Sequence, residues 1–244
     1  MQDKVIFITG SGRRLGAAMA QHLHAHGARI VVHYRQSAND AHALAKALNT
    51  QRPNTVKTVS GDLNDFNAIG GIAEAALGAF GRVDGLINNA SAFFPTPLAT
   101  ATLEQWDDLM GSNLRAPFFL VQTLESTLRK HRGAIINMVD IHASRPLAGH
   151  PVYCAAKAGL VMLTMSLAQE LGPEVRVNGI APGPVMWPEN GLNDAAKAAI
   201  VDGTLLKRSG APDDIAAAAL YLLRDAPYVT GQILAVDGGS SLRG

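Results

Sequence analysis

Tyr153 and Lys157 stand four residues apart in an Ala-rich run, PVYCAAKAGL. On a helix that spacing puts both side chains on one face, a turn apart. A free phenol titrates near ~10, too high for fast proton transfer at neutral pH, and a neighbouring ammonium favours its ionised form. Asp140 precedes the tyrosine by 13 residues, at the end of the β-branched run AIINMVD. A carboxyl group there donates when protonated and accepts from a phenol or an N–H when ionised. When ionised it also disfavours phenolate, which keeps Tyr153 protonated and suits reduction over oxidation. A reduction beside this pair must also supply a proton, and an acid next to the phenol can share or relay it. The competing reading of Asp140 is a cap on the turn that follows it.

A second group of residues lies in VIFITGSGRRLGAAMA. Gly10 and Gly12 permit a tight turn, and Gly16 lets the following helix pack close to a sheet. Backbone N–H groups and the helix dipole at such a turn favour a pyrophosphate. The next β-branched run ends in HYRQS, with no acid from His33 to Ser37. Proteins that bind NAD usually carry a carboxylate there for the ribose 2′-hydroxyl. Arg35 and Ser37 suit a 2′-phosphate instead, with Arg13 or Arg14 reaching it from the turn, since a guanidinium pairs well with phosphate oxygens. The pattern predicts NADP(H).

The elements that must position these groups alternate regularly. Strand-like runs fall at 5–9, 28–34, 55–61, 85–88, 134–140, 176–182 and 233–238. Helix-period segments lie between them, near 14–26, 38–50, 65–80, 102–130, 152–172 and 212–224. Repeated strand–helix–strand order with apolar strands predicts a doubly wound parallel sheet with helices on both faces. Pro151 sits at the start of the helix carrying Tyr153, and Gly172-Pro173 stops it. The least regular segment, 183–205, reads as a mobile loop with a short helix. It follows a strand's C-terminal end, where a substrate lid would sit.

The 244 residues, 48% hydrophobic with 24 glycines, fit a single α/β domain over 1–244. A net charge of +1 argues against polyelectrolyte attraction to nucleic acid. The one cysteine, Cys154, excludes an intramolecular disulfide and reads as packing. His22 and His26 in HLHAH have no acidic or cysteine partner close by, so they read as surface histidines and no metal site is expected. The N-terminal apolar run is short and ends in Thr-Gly, unlike a signal peptide. No stretch approaches the ~20 apolar residues that span a bilayer, so a soluble cytoplasmic protein is expected.

TG-x5-G at 9–16, Asp62, NNA at 88–90, Asn113, Tyr153-x3-Lys157 and PG at 182–183 together resemble the short-chain dehydrogenase/reductase family over essentially the whole chain. The resemblance implies a Rossmann-type fold with about seven strands, and commonly a homotetramer contacting through the helices at 102–130 and 152–172. It implies that Asp62 meets the adenine, Asn89 and Ala90 line the coenzyme, and Asn113 supports a proton-relay water. By the same resemblance Gly10, Leu15, His33, Tyr34, Leu63, Pro182 and Gly183 belong to the coenzyme site, and Lys157 bonds the nicotinamide ribose. Three departures from the general pattern are shared with pteridine reductases: Arg14 in place of a glycine, NNASAFFPTPL in place of NNAG, and Asp140 in place of serine. That closer resemblance implies a pterin site made by Arg14, Ser91, Phe93, Asp140, Tyr153 and Lys157. Ser91 also borders the coenzyme, Phe94 is the rival of Phe93, and Met186 and Trp187 close the pocket. The expected activity is NADPH-dependent reduction of a pterin or folate. Its rivals are a general carbonyl or 3-oxoacyl-thioester reductase, and a non-catalytic NADPH-binding regulator.

Overall fold

A computed structural model of the chain describes residues 1–187 and 192–242. β1 (Val5–Ile8) leads through the Gly-rich turn into α1 (Arg14–Ala25), followed by β2 (Arg29–Tyr34), α2 (Ala38–Gln51) and β3 (Val56–Ser60). Next come α3 (Phe66–Phe80), β4 (Gly85–Asn88), α4 (Leu103–Met110), α5 (Ala116–Lys130) and β5 (Ala134–Met138). The chain continues through α6 (Pro151–Leu171), β6 (Arg176–Pro182), α7 (Asp194–Asp202), α8 (Pro212–Leu220) and β7 (Ile233–Val236). Among the described residues the strands form one seven-stranded sheet in the order β3-β2-β1-β4-β5-β6-β7. Every pairing is parallel. This is the Rossmann-type, doubly wound architecture that the sequence predicts.

The two-residue period of the strands sorts their side chains between two cores. Ile6, Ile8, Ile30, Val32, Ile136 and Ile180 face Met19 and Leu23 of α1, Leu44 of α2 and Ile215 of α8. Val5, Phe7, Val31, Leu86, Ile135 and Val177 face the opposite way, against Ile69 of α3, Leu120 and Leu124 of α5 and Leu167 of α6. Strands covered on both sides need no polar alternation, which is why they read as apolar runs. The strand order turns back at β1, which pairs with β2 on one side and β4 on the other. A crevice therefore opens beyond the C-terminal ends of β1 and β4, the usual ligand position in such sheets.

Three expectations need correction. The segment 102–130 is helical throughout but not one regular helix. A π-helical turn, Gly111–Arg115, separates α4 from α5, and it takes the wider winding found at many functional sites. A second such turn, Tyr221–Asp225, extends α8. The sequence gives little sign of either, because a π turn disturbs the apolar period by a single residue. Third, α6 is long and apolar enough to cross a membrane, contrary to the expectation that no stretch comes near it. Its apolar character is that of a core helix, and it carries the buried Lys157. In 183–205 the short helix is α7, and the part of that segment at 188–191 lies outside the described residues.

Candidate active site

β5 and α6 bring the chemistry together. Lys157 and Tyr153 are both buried on the inner face of α6. β5 runs toward them, and the chain leaves it at Asp140 to enter a 3-10 turn, Ile141–Ala143. Asp140 makes the contact that each of its two readings calls for, one on each oxygen. Oδ1 accepts the His142 N–H at 2.8 Å, capping the turn. Oδ2 accepts the Tyr153 hydroxyl at 2.6 Å. The cap holds the carboxylate still, and the phenol is thereby placed.

Burial first, and the Asp140 carboxylate next, push the Tyr153 phenol above its ordinary value. The lysine's pull toward phenolate, expected from spacing alone, does not win. The Lys157 ammonium lies 5.7 Å from the centre of the Tyr153 ring and donates to the Met138 carbonyl at 2.8 Å. Burial lowers Lys157 to about 8, against the opposing attraction of Asp140. At neutral pH the set is thus a protonated phenol, hydrogen-bonded to a carboxylate, above a largely protonated amine. The phenol therefore carries its proton at neutral pH but, without ligand, holds it more tightly than a free phenol does.

The π-helical turn positions the next group. Asn113 Nδ2 donates to Leu109 O at 2.9 Å and to Ala92 O at 3.0 Å. Asn113 Oδ1 accepts from the Ser91 hydroxyl at 2.7 Å. The loop after β4 is therefore fastened to the helix by side chains at both 91 and 113. Phe93 leaves that loop half exposed, with its ring edge-to-face on Tyr153 at 4.8 Å. It also stacks on His150, with centroids 4.8 Å apart and planes 9° from parallel. Phe94, partly buried, packs instead with Leu109, Val152, Tyr153 and Cys154, so of the two rings Phe93 is the one left open beside Tyr153. Spacing alone did not mark His150 as part of the site. Its signal, an aromatic-type ring three residues before the tyrosine, is visible only once α6 is known to begin at Pro151.

At the Gly-rich turn, Gly10 has φ +60°, and a Cβ there would meet the Ala90 Cα at 3.0 Å. A Cβ on Gly16 would meet Gly10 O and Ser11 Cα at 2.6 Å and Asn89 Nδ2 at 2.7 Å. Asn89 braces this turn, donating from Nδ2 to Thr9 O at 2.8 Å and Gly10 O at 3.0 Å. Thr9 Oγ1 accepts the N–H groups of Asn89 and Ala90, both at 2.9 Å. Arg13 and Arg14 open α1 exposed to solvent, and Arg14 takes the left-handed φ of +56°. Arg14 Nη2 donates to the Trp187 carbonyl at 3.2 Å, joining the turn to the loop after β6. Arg35 lies 3.6 Å from Asp62, so the two residues expected at the adenosine end do meet. Gly12 packs against the Ser37 hydroxyl, which a Cβ would approach to 2.7 Å.

Other expected site residues stand further back. The His33 side chain is buried behind the turn, and Leu63 belongs to the core under α3. Leu15 and Tyr34 pack against the opposite core, and the Tyr34 hydroxyl meets His42 Nε2 at 3.3 Å. Pro182 pairs with Val236 at the end of β6, and a Cβ on Gly183 would meet the Asp237 Cα at 2.6 Å. Met186 is partly buried in the loop that follows. The Gly-rich turn at the start of α1, Arg35 and Ser37 after β2, and Lys157, whose ammonium has three donors and gives one to Met138, fit a dinucleotide with an extra phosphate.

A family model described as enoyl-(acyl carrier protein) reductase matches residues 10–241. Pteridine reductase 1 of Leishmania tarentolae is 34% identical over 278 residues, covering 98% of this chain and 96% of that protein. A 3-oxoacyl-(acyl-carrier-protein) reductase of Haemophilus influenzae is 35% identical over 243 residues, covering 98% of each. Among solved structures, a blue fluorescent protein from a metagenomic library, crystallised with NADPH, superposes with a TM-score of 0.91. It is 34% identical in sequence, and the match covers 98% of both chains.

Proposed function

Because this chain belongs to the short-chain dehydrogenase/reductase family, we propose that it is a reductase of pterins, converting dihydropterin or dihydrofolate to the tetrahydro form. The coenzyme is NADP(H), which supplies the hydride when bound. Arg35 and Ser37, with Arg13 reaching from the turn, hold its 2′-phosphate, and the α1 N-terminus with Arg14 receives the pyrophosphate. Lys157, with donors beyond the one spent on Met138, holds the nicotinamide ribose.

The observation that carries the pterin reading is the 2.6 Å bond from Tyr153 to Asp140 beneath the half-exposed ring of Phe93. Phe93 offers a face to a flat heterocycle, a contact contributing roughly 0.5–1.5 kcal/mol beyond burial. Ser91 lies beside the Tyr153 hydroxyl, and Arg14, tied to the Trp187 carbonyl, is assigned to the pterin with it. Tyr153 gives its proton to the ring nitrogen as the neighbouring carbon is reduced. Asp140 holds the phenol neutral until then and steadies the nitrogen-bound proton afterwards. The 34% identity to a pteridine reductase supports the same reading. The second reading is a 3-oxoacyl-thioester reductase, favoured by the comparable 35% identity to such an enzyme. The rings of Phe93 and His150 at the mouth suit a planar substrate better than a flexible acyl chain. A homotetramer completes the proposal, supported by exposed Phe118 on α5 and Met162 and Met165 on α6.

The deciding assay follows NADPH absorbance with dihydrobiopterin and dihydrofolate against an acetoacetyl thioester, for the parent and Asp140→Ser. The expected result is pterin-dependent oxidation of NADPH that falls at least about tenfold in Asp140→Ser, with the thioester rate unchanged or higher. Equal losses on both substrates, or turnover of the thioester alone, would reject the pterin assignment.

A further inference from the structure

A turn that receives a pyrophosphate must present backbone N–H groups to it, so the destination of each N–H matters. Two of them are already engaged inside the protein. Gly10 N–H donates to His33 Nδ1 at 3.1 Å, and Ser11 N–H donates to the His33 carbonyl at 2.8 Å. The His33 N–H returns a bond to the Ser11 hydroxyl at 3.2 Å. On the far side of the ring, His33 Nε2 lies 3.2 Å from the Gly61 carbonyl. An amide N–H only donates and a carbonyl only accepts. The ring is therefore the neutral tautomer with its proton on Nε2. Burial pushes His33 down to about 4, against the Gly61 carbonyl and the Asp62 carboxylate, which favour the cation. The Phe7 ring meets it edge-on at 6.3 Å, and only 2% of the residue is exposed.

One imidazole thus spans β2 and fastens the turn after β1 to the turn after β3. The first is the pyrophosphate end of the crevice; the second carries Asp62, which faces Arg35 at the adenosine end. We propose that His33 is a positioning residue for the coenzyme: it does not touch NADPH, but its two ring bonds fix the separation of the two turns that hold the pyrophosphate and the adenosine. This rests on the NADP(H) reading above. The clamp also leaves the phosphates to the N–H groups from Gly12 onward, at the start of α1, because those of Gly10 and Ser11 are occupied.

The two bonds separate by substitution. His33→Asn keeps an acceptor near the Nδ1 position and loses the reach to Gly61. His33→Gln keeps a donor for Gly61 and loses the acceptor for Gly10, while His33→Leu loses both. NADPH is titrated by fluorescence into the full-length parent and each variant. KM for NADPH and kcat at saturating NADPH are measured alongside. His33→Leu should raise Kd and KM for NADPH at least about tenfold with kcat within about twofold of the parent, as expected when two buried bonds that organise a binding site are lost. The Asn and Gln variants should fall between, each recovering part of the affinity. Should His33→Leu not fold, these two carry the test by the same criterion. Parent-like NADPH affinity in the folded variants, or a fall in kcat with KM unmoved, would overturn the clamp. A parent that fails to bind NADPH would overturn the coenzyme reading and the clamp with it.

Discussion

A single carboxylate at position 140 serves two neighbours, one oxygen for a backbone turn and one for a phenol. The sequence showed both possibilities, but only the geometry shows that they are compatible. The Tyr153–Lys157 spacing was equally legible, whereas the partner of Lys157 was not, since it is a main-chain carbonyl. Lys157 also makes a prediction about pH. Its folded value of about 8 lies below the ordinary 10.5, so the unfolded chain binds more protons between those values. Its contribution to stability therefore rises with pH across that window and is at its most unfavourable below pH 8. Lys157→Met should stabilise the ligand-free protein near pH 7 while abolishing turnover. That gain, on the order of 3 kcal/mol at most, should shrink as denaturant melts are repeated from pH 8 to 10.5. Arg14 carries the same compromise in its backbone. A side chain at φ +56° costs roughly 1–2 kcal/mol relative to glycine. Arg14→Gly should therefore raise the ligand-free melting temperature slightly and weaken NADPH binding, a pair of changes that calorimetry and titration read separately.

At the scale of elements, helix ends and strand positions followed the punctuation of the sequence closely. Pro151 opens α6 and Gly172-Pro173 closes it. The π-helical turn at Gly111–Arg115 escaped notice because the residues it buries, Gly111, Ser112 and Asn113, are small or polar and carry no apolar signal. The packing of α1 on the sheet depends on Gly16, where a Cβ would strike backbone on one side and Asn89 on the other. Backbone cannot step aside as a flexible side chain can. Gly16→Val should cost about 1–3 kcal/mol by thermal melt and weaken NADPH further than that loss alone, since α1 would lift away with its N–H groups. Unchanged NADPH affinity in the folded variant would show that the helix tolerates the shift.

For the whole molecule, the parallel sheet and its two covered faces were legible because most strands are apolar and alternate with helix-length segments; only the edge strand β3 breaks the pattern strongly, with Lys57 and Ser60 exposed. Assembly was not, since an exposed methionine in one chain reads the same whether water or a second copy covers it. Phe118, Met162 and Met165 lie exposed on neighbouring helices. If four copies meet there, the double variant Met162→Glu, Met165→Glu should sediment as a smaller species than the parent, with its far-UV circular dichroism intact. Identical sedimentation would place the subunit contacts elsewhere or leave the chain a monomer.

Thr96 N–H donates to the Gly149 carbonyl at 2.7 Å, close to where Phe93 stacks on His150. The loops after β4 and β5, far apart in the chain, are thus stitched together at the rim. Anyone transplanting substrate preference between this protein and its relatives must therefore exchange the two loops as a matched pair. A hybrid carrying only one would leave a ring without its neighbour and an amide without its acceptor.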